Sequence, residues 1–107
     1  ALGAVVGTED DIPKRARLDR VRNYPNPFSD VTTVALELVE GARTIVTVHD
    51  VMGRLICTLV DDELGPGEHR ITWDGKNGQH VRVADGIYFI RLETDQGQTV
   101  RKVVQVR

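Results

Sequence analysis

Thr44-Ile45-Val46-Thr47-Val48-His49-Asp50-Val51-Met52-Gly53-Arg54-Leu55-Ile56-Cys57-Thr58-Leu59-Val60 is the stretch on which the fold turns. Both flanks are dominated by β-branched and apolar residues, which suit a pleated, half-buried surface. Neither flank carries a sustained 3.6-residue stripe, so helix is disfavoured by period as well as by propensity. Between them, Asp50-Val51-Met52-Gly53 places Asp at the first and Gly at the fourth position of a type I turn. The stretch reads as strand, tight turn, strand.

The same texture extends to both sides. Thr32-Thr33-Val34-Ala35-Leu36-Glu37-Leu38-Val39 alternates, with Val34, Leu36 and Leu38 on one parity. His69-Arg70-Ile71-Thr72-Trp73, Ile87-Tyr88-Phe89-Ile90-Arg91-Leu92 and Val100-Arg101-Lys102-Val103-Val104-Gln105-Val106 continue the series. Gly65-Pro66-Gly67-Glu68 sets Pro and Gly at the two central places of a type II turn, while Gly41 and Gly97 also break the chain. Asp74-Gly75 and Asn77-Gly78 predict a longer ordered loop after Trp73. Six or seven strands at this spacing predict a small all-β antiparallel sandwich. Trp73, Tyr88, Phe89 and Phe28 are the expected aromatic core.

The sequence has 107 residues, room for one domain. No apolar run reaches the length of a membrane-spanning helix. Residues 1–20 are expected to form a linker or tether and residues 21–107 the sandwich. Ala1-Leu2-Gly3-Ala4-Val5-Val6 is apolar but lacks a basic flank and is too short for a signal peptide, so export information lies elsewhere or the chain is part of something longer. Residues 1–22 hold five basic and four acidic groups, and this near-cancellation reads as a solvated tether rather than a phosphate or lipid site. The whole chain carries 14 basic and 16 acidic side chains, a formal −2, which argues against a nucleic-acid partner.

Material for catalysis is sparse. Cys57 is the single cysteine, so an internal disulfide and a thiolate zinc cluster are excluded. Ser29 lies in a proline-flanked segment unsuited to a nucleophile elbow, and His49, His69 and His80 fall on three elements with no metal-protease spacing. His49 reads as a rim histidine and Cys57 as a half-buried apolar one. Asp61-Asp62-Glu63 is expected in the loop before Gly65-Pro66. Neither this triplet nor Asp74-Gly75-Lys76-Asn77-Gly78 has the spacing of a calcium loop. No catalytic, cofactor or metal residue is assigned.

One segment is more specific than composition. Asn23-Tyr24-Pro25-Asn26-Pro27-Phe28, followed by Thr32-Thr33, resembles the opening of the type A C-terminal sorting domain of the bacterial type IX secretion system. Val48 to Arg54, with Asp50, Gly53 and Arg54, resembles that family's turn block. Trp73-Asp74-Gly75 resembles its middle, Gly86-Ile87-Tyr88-Phe89 its penultimate strand, and Arg101-Lys102-Val103-Val104 its last. His49 stands where the family usually has Tyr, Ser29-Asp30 replaces a common Asn-Pro, and His80 takes the place of a frequent glycine. The signature is also similar to the immunoglobulin-like domain of the flagellar hook-capping protein.

The resemblance implies an all-β, immunoglobulin-like antiparallel β-sandwich of about seven strands, a non-catalytic module without cofactor, carried on an exported protein that passes through the periplasm to the cell surface or medium. Its partners would be the upstream domain of the same precursor and proteins of the sorting machinery, with no membrane insertion. The alternative is a structural spacer, adhesion or hook-cap-like assembly domain. In the motif, Pro25 and Pro27 remove backbone donors and keep the segment extended outside a full ladder, with Asn26 expected to hold the bend through nearby backbone. Arg101, Lys102, Val103, Val104 and Arg107 are the candidate sorting contact, on an edge strand open to strand addition.

Overall fold

The computed structural model describes residues 21–95 and 97–106. The tether read for residues 1–20 and the contact read for Arg107 lie outside them. Seven strands follow in order: β1 (Arg22–Tyr24), β2 (Thr32–Leu38), β3 (Ala42–Asp50), β4 (Leu55–Leu64), β5 (Gly67–Trp73), β6 (Gly86–Thr94) and β7 (Gly97–Gln105). They form a three-stranded sheet, β1-β2-β5, and a four-stranded sheet, β4-β3-β6-β7, with every strand pair antiparallel. This is the expected immunoglobulin-like sandwich.

The alternation read from β2 holds: Val34, Leu36 and Leu38 are buried between the sheets. Val46 and Val48 of β3, Tyr88, Ile90 and Leu92 of β6 and Val103 of β7 meet them from the other layer. Trp73 is the largest buried side chain, 1 % exposed. Its ring lies 5.4 Å from Phe28 and 5.3 Å, edge to face, from Tyr88, so it bonds one sheet to the other.

Two expectations are corrected. Phe89 is not in the core: it alternates with buried Tyr88 and Ile90, which turns its ring to the outer face of the sheet. Asp61-Asp62-Glu63 is not a loop but the end of β4, paired with Ile45, Thr44 and Arg43. Arg43 forms an ion pair with Asp61, and all three acids are solvent-exposed, so the strand continues without burying charge.

Candidate functional site

The motif residues fall into two constellations. The first is the Asn23–Phe28 segment, in which the peptide bonds before Pro25 and Pro27 are both cis. Arg22 to Tyr24 pair with β2 in the three-stranded sheet. The chain then crosses to the other layer, where Phe28 bridges Gln105 in parallel. Asn26 does not hold the bend through nearby backbone, as the sequence suggested. Its Nδ2 donates to Lys102 O at 2.9 Å and its Oδ1 accepts from Val104 N at 2.9 Å. A side-chain amide thereby imitates the peptide group of a neighbouring strand. Phe28 N donates to Val104 O, Val106 N donates to Phe28 O, and the Phe28 ring anchors the segment in the core. Thr32 Oγ1 donates to Pro25 O at 2.9 Å, which closes the segment onto β2.

This crossing decides how open β7 is. The strand does lie at a sheet edge, paired only with β6 among the described residues. Yet from Lys102 O to Val106 N its outer backbone groups are occupied by Asn26 and Phe28. Val103 is fully buried, whereas Lys102 projects outward and Arg101 Nε reaches Val21 O at 3.2 Å. No single residue in the sequence signals this arrangement, because the partners lie 76 and 78 positions apart.

The second constellation gathers Trp73, Asp74, Gly75 and Tyr88 around the 74–85 loop. Trp73 Nε1 donates to Lys76 O at 2.8 Å, Asp74 Oδ1 accepts from Lys76 N, and Tyr88 Oη donates to Ala84 O at 2.6 Å. Burial, reinforced by the charges of Asp50 and Asp85, raises the Tyr88 phenol above its usual value and keeps it a donor. Asn77 Oδ1 accepts from both Gln79 N and Val81 N, which makes it the organiser of the loop tip. His80 has φ 66°, the conformation suited to the glycine whose place it takes. The buried Gln105, missed by the sequence reading, donates from Nε2 to Val83 O at 2.7 Å.

At the C-terminal end of β3, where Asp50 pairs with Tyr88, Asp50 builds the turn that the sequence predicts. Gly53 N donates to Asp50 O at 2.9 Å, and Gly53 takes φ 84°, so the chain re-enters β4 through a left-handed residue. Asp50 Oδ1 accepts from Met52 N and Arg54 N, and Oδ2 from Arg54 Nε at 2.8 Å. The bond from Arg54 N, with those from its guanidinium and Met52 N, holds the Asp50 carboxyl below its usual range. A depressed folded value means that this contribution is complete above the unfolded value and fades as pH falls through the folded one. Asp50→Asn is therefore expected to unfold at lower denaturant than the parent at pH 7. As pH falls below about 4 and through the lowered folded value, the two midpoints should converge, read by fluorescence of Trp73. A difference constant down to pH 2 would show that the carboxylate charge contributes nothing.

Cys57 is half-buried, as expected. Burial first and the Asp74 charge second push its thiol above the usual value, which is the reverse of an activated nucleophile. His49 lies at the rim with Nε2 2.9 Å from Thr47 Oγ1, and His69 Nε2 is 2.7 Å from Gly65 O. Among the described residues no three His, Cys, Asp or Glu side chains converge as metal ligands.

Residues 22–106 match the family model described as the secretion system C-terminal sorting domain. This chain belongs to that family. The match spans every described strand of the sandwich, including both constellations. Among curated proteins, the basal-body rod modification protein FlgD of Salmonella typhimurium is 35% identical over 72 residues, 66% of this chain and 31% of that protein. FlgD of Salmonella typhi gives the same figures. This sorting domain thus spans about a third of the length of the curated relatives it matches.

Two solved structures share its fold. Dimeric latent PorU from Porphyromonas gingivalis superposes with a TM-score of 0.66 at 22% identity, over 80% of this chain and 9% of that one. PorZ from Porphyromonas gingivalis, described as an essential bacterial surface component of the type IX secretion system, superposes with a TM-score of 0.62 at 27% identity. That overlap covers 94% of this chain and 13% of PorZ.

Proposed function

We propose that this sorting domain is a non-catalytic module that directs an exported protein, by way of the periplasm, to a type IX-like secretion and surface-sorting machinery. The observation that carries this reading is the family match over residues 22–106. The polar motif residues support it by what they do. Asn26, Asp50, Asp74 and the Tyr88 hydroxyl are each engaged in holding a turn, loop or strand edge. They build a rigid recognition body. The partners are the rest of the precursor and proteins of the sorting machinery. In this reading the contact lies on β7; its support is that Lys102 and Val104 project outward while Val103 and Arg101 fix the strand to the sandwich.

The test is a reporter with a periplasmic export signal, fused ahead of the 107-residue chain and expressed in a host with that secretion system. Surface or extracellular reporter is expected with the module and periplasmic retention without it. Retention in both cases overturns the reading. The likeness to FlgD favours a second one, an assembly or spacer domain. That reading predicts retention together with stable binding to a structural partner.

A further inference from the structure

The outer face of the four-stranded sheet carries a side-chain pattern that the core does not explain. Directly paired residues of antiparallel strands project to the same side. His49 with Phe89, Phe89 with Lys102, Arg91 with Val100, and Ile87 with Val104 therefore share one face, opposite buried Tyr88, Ile90 and Val103. His49, Val51, Gly53, Phe89, Arg91 and Val100 line a shallow groove of about 300 Å³ on that face. Around it Val51, Leu55, Ile87 and Val100 are 65%, 58%, 43% and 46% exposed. One exposed aliphatic residue is ordinary, but this grouping around an aromatic ring across four strands is not.

The rim is basic. Arg54 is bound to Asp50, and Arg91 donates to Gln98 Oε1 and stands 3.7 Å from Glu93. The two carboxylates at this end are thus already engaged. The Lys102 ammonium, directly across from Phe89, makes no ion pair among the described residues. Strand addition is the competing route to β7, and Asn26 with Phe28 already occupies that edge from Lys102 to Val106. The face beside it stays open.

We propose that this face, centred on Phe89, is the docking surface of the module, and that its occupant is a protein surface offering an apolar side chain beside a carboxylate. The proposal rests on the sorting reading above. Phe89 and Val100 receive the apolar group, and Lys102 pairs with the carboxylate beside it, which orients the partner and speeds encounter.

The experiment uses the same reporter with four modules: the parent, Phe89→Ser, the double variant Val100→Ser/Lys102→Glu, and Arg70→Glu on the exposed part of the other sheet. Export is expected to fall tenfold or more for Phe89→Ser and several-fold for the double variant, with Arg70→Glu like the parent. The double variant changes only exposed residues, so it decides the matter if Phe89→Ser misfolds. Parental export by the double variant, or an equal loss in Arg70→Glu, overturns the docking face while leaving sorting intact. Failure of the parent module itself overturns both readings. A dimer of the purified chain that Phe89→Ser dissolves would also overturn the proposal, by giving the face to a second copy.

Discussion

Replacing Trp73 by alanine is expected to remove about 3–5 kcal/mol of folding stability, the largest loss from any single side chain here. The ring is 1 % exposed and packs against Phe28 from the strand-switching segment and Tyr88 from β6. Truncation leaves a cavity at the one point where three separate elements converge, and a sandwich core relaxes only partly into such a void. It also removes the donor to Lys76 O, the bond that ties the 74–85 loop to the core. Domains of this size have about 5–15 kcal/mol in total, so the variant should melt some 15 °C or more below the parent. Denaturant unfolding followed by circular dichroism measures the loss. Phe at position 73 should recover part of the packing but not the loop, leaving amide exchange at Asn77 to Val83 elevated. A loss below about 1 kcal/mol for the alanine variant would remove Trp73 from the centre of this structure.

What made Trp73 legible in the sequence also explains what was not. The Asp50–Gly53 turn is written in adjacent residues, because a type I turn entered from Asp and left through a left-handed glycine needs no distant partner. The β2 alternation is likewise local, and it correctly gave the buried set Val34, Leu36 and Leu38. Ile87-Tyr88-Phe89-Ile90 is apolar throughout, but Arg91 and Glu93 further along the strand share the parity of Phe89 and mark its face as the solvent side, a signal that reading Phe89 as core passed over. The register with β3 decides it in favour of Tyr88. Asp61-Asp62-Glu63 looks like a loop because strands rarely hold three acids. It remains a strand because β4 is an exposed edge and Arg43 lies across from it. Asn26 was legible only as a turn former. Its bonds to Lys102 and Val104 exist because the chain after β1 leaves one sheet and joins the margin of the other, a tertiary event with no local trace.

Gly75→Ala is expected to cost about 2–5 kcal/mol, although it adds a single methyl group. Gly75 takes φ 76°, where an alanine costs about 1–2 kcal/mol from backbone sterics alone. Its added Cβ would overlap Gln105 Oε1 and stand 3.0 Å from Gln105 Cδ, so the amide must move. Gln105 is fully buried, and its Nε2 donates to Val83 O, while Val83 N donates to Gly75 O at 2.9 Å. Displacing that amide breaks a buried bond and leaves Val83 O without its donor, a further ~1–3 kcal/mol. The two terms separate in a double-mutant cycle. In a Gln105→Ala background the obstructing amide is gone, so Gly75→Ala should cost only its backbone share, with a coupling of at least about 1 kcal/mol between the sites. Additive losses, measured by denaturant unfolding of all four proteins, would mean that the loop and β7 are not joined through this contact. Coupling of the expected size ties Asp74-Gly75 to β7, so that two motif blocks far apart in the sequence serve one purpose: holding β7 rigid beneath Lys102 and Val104.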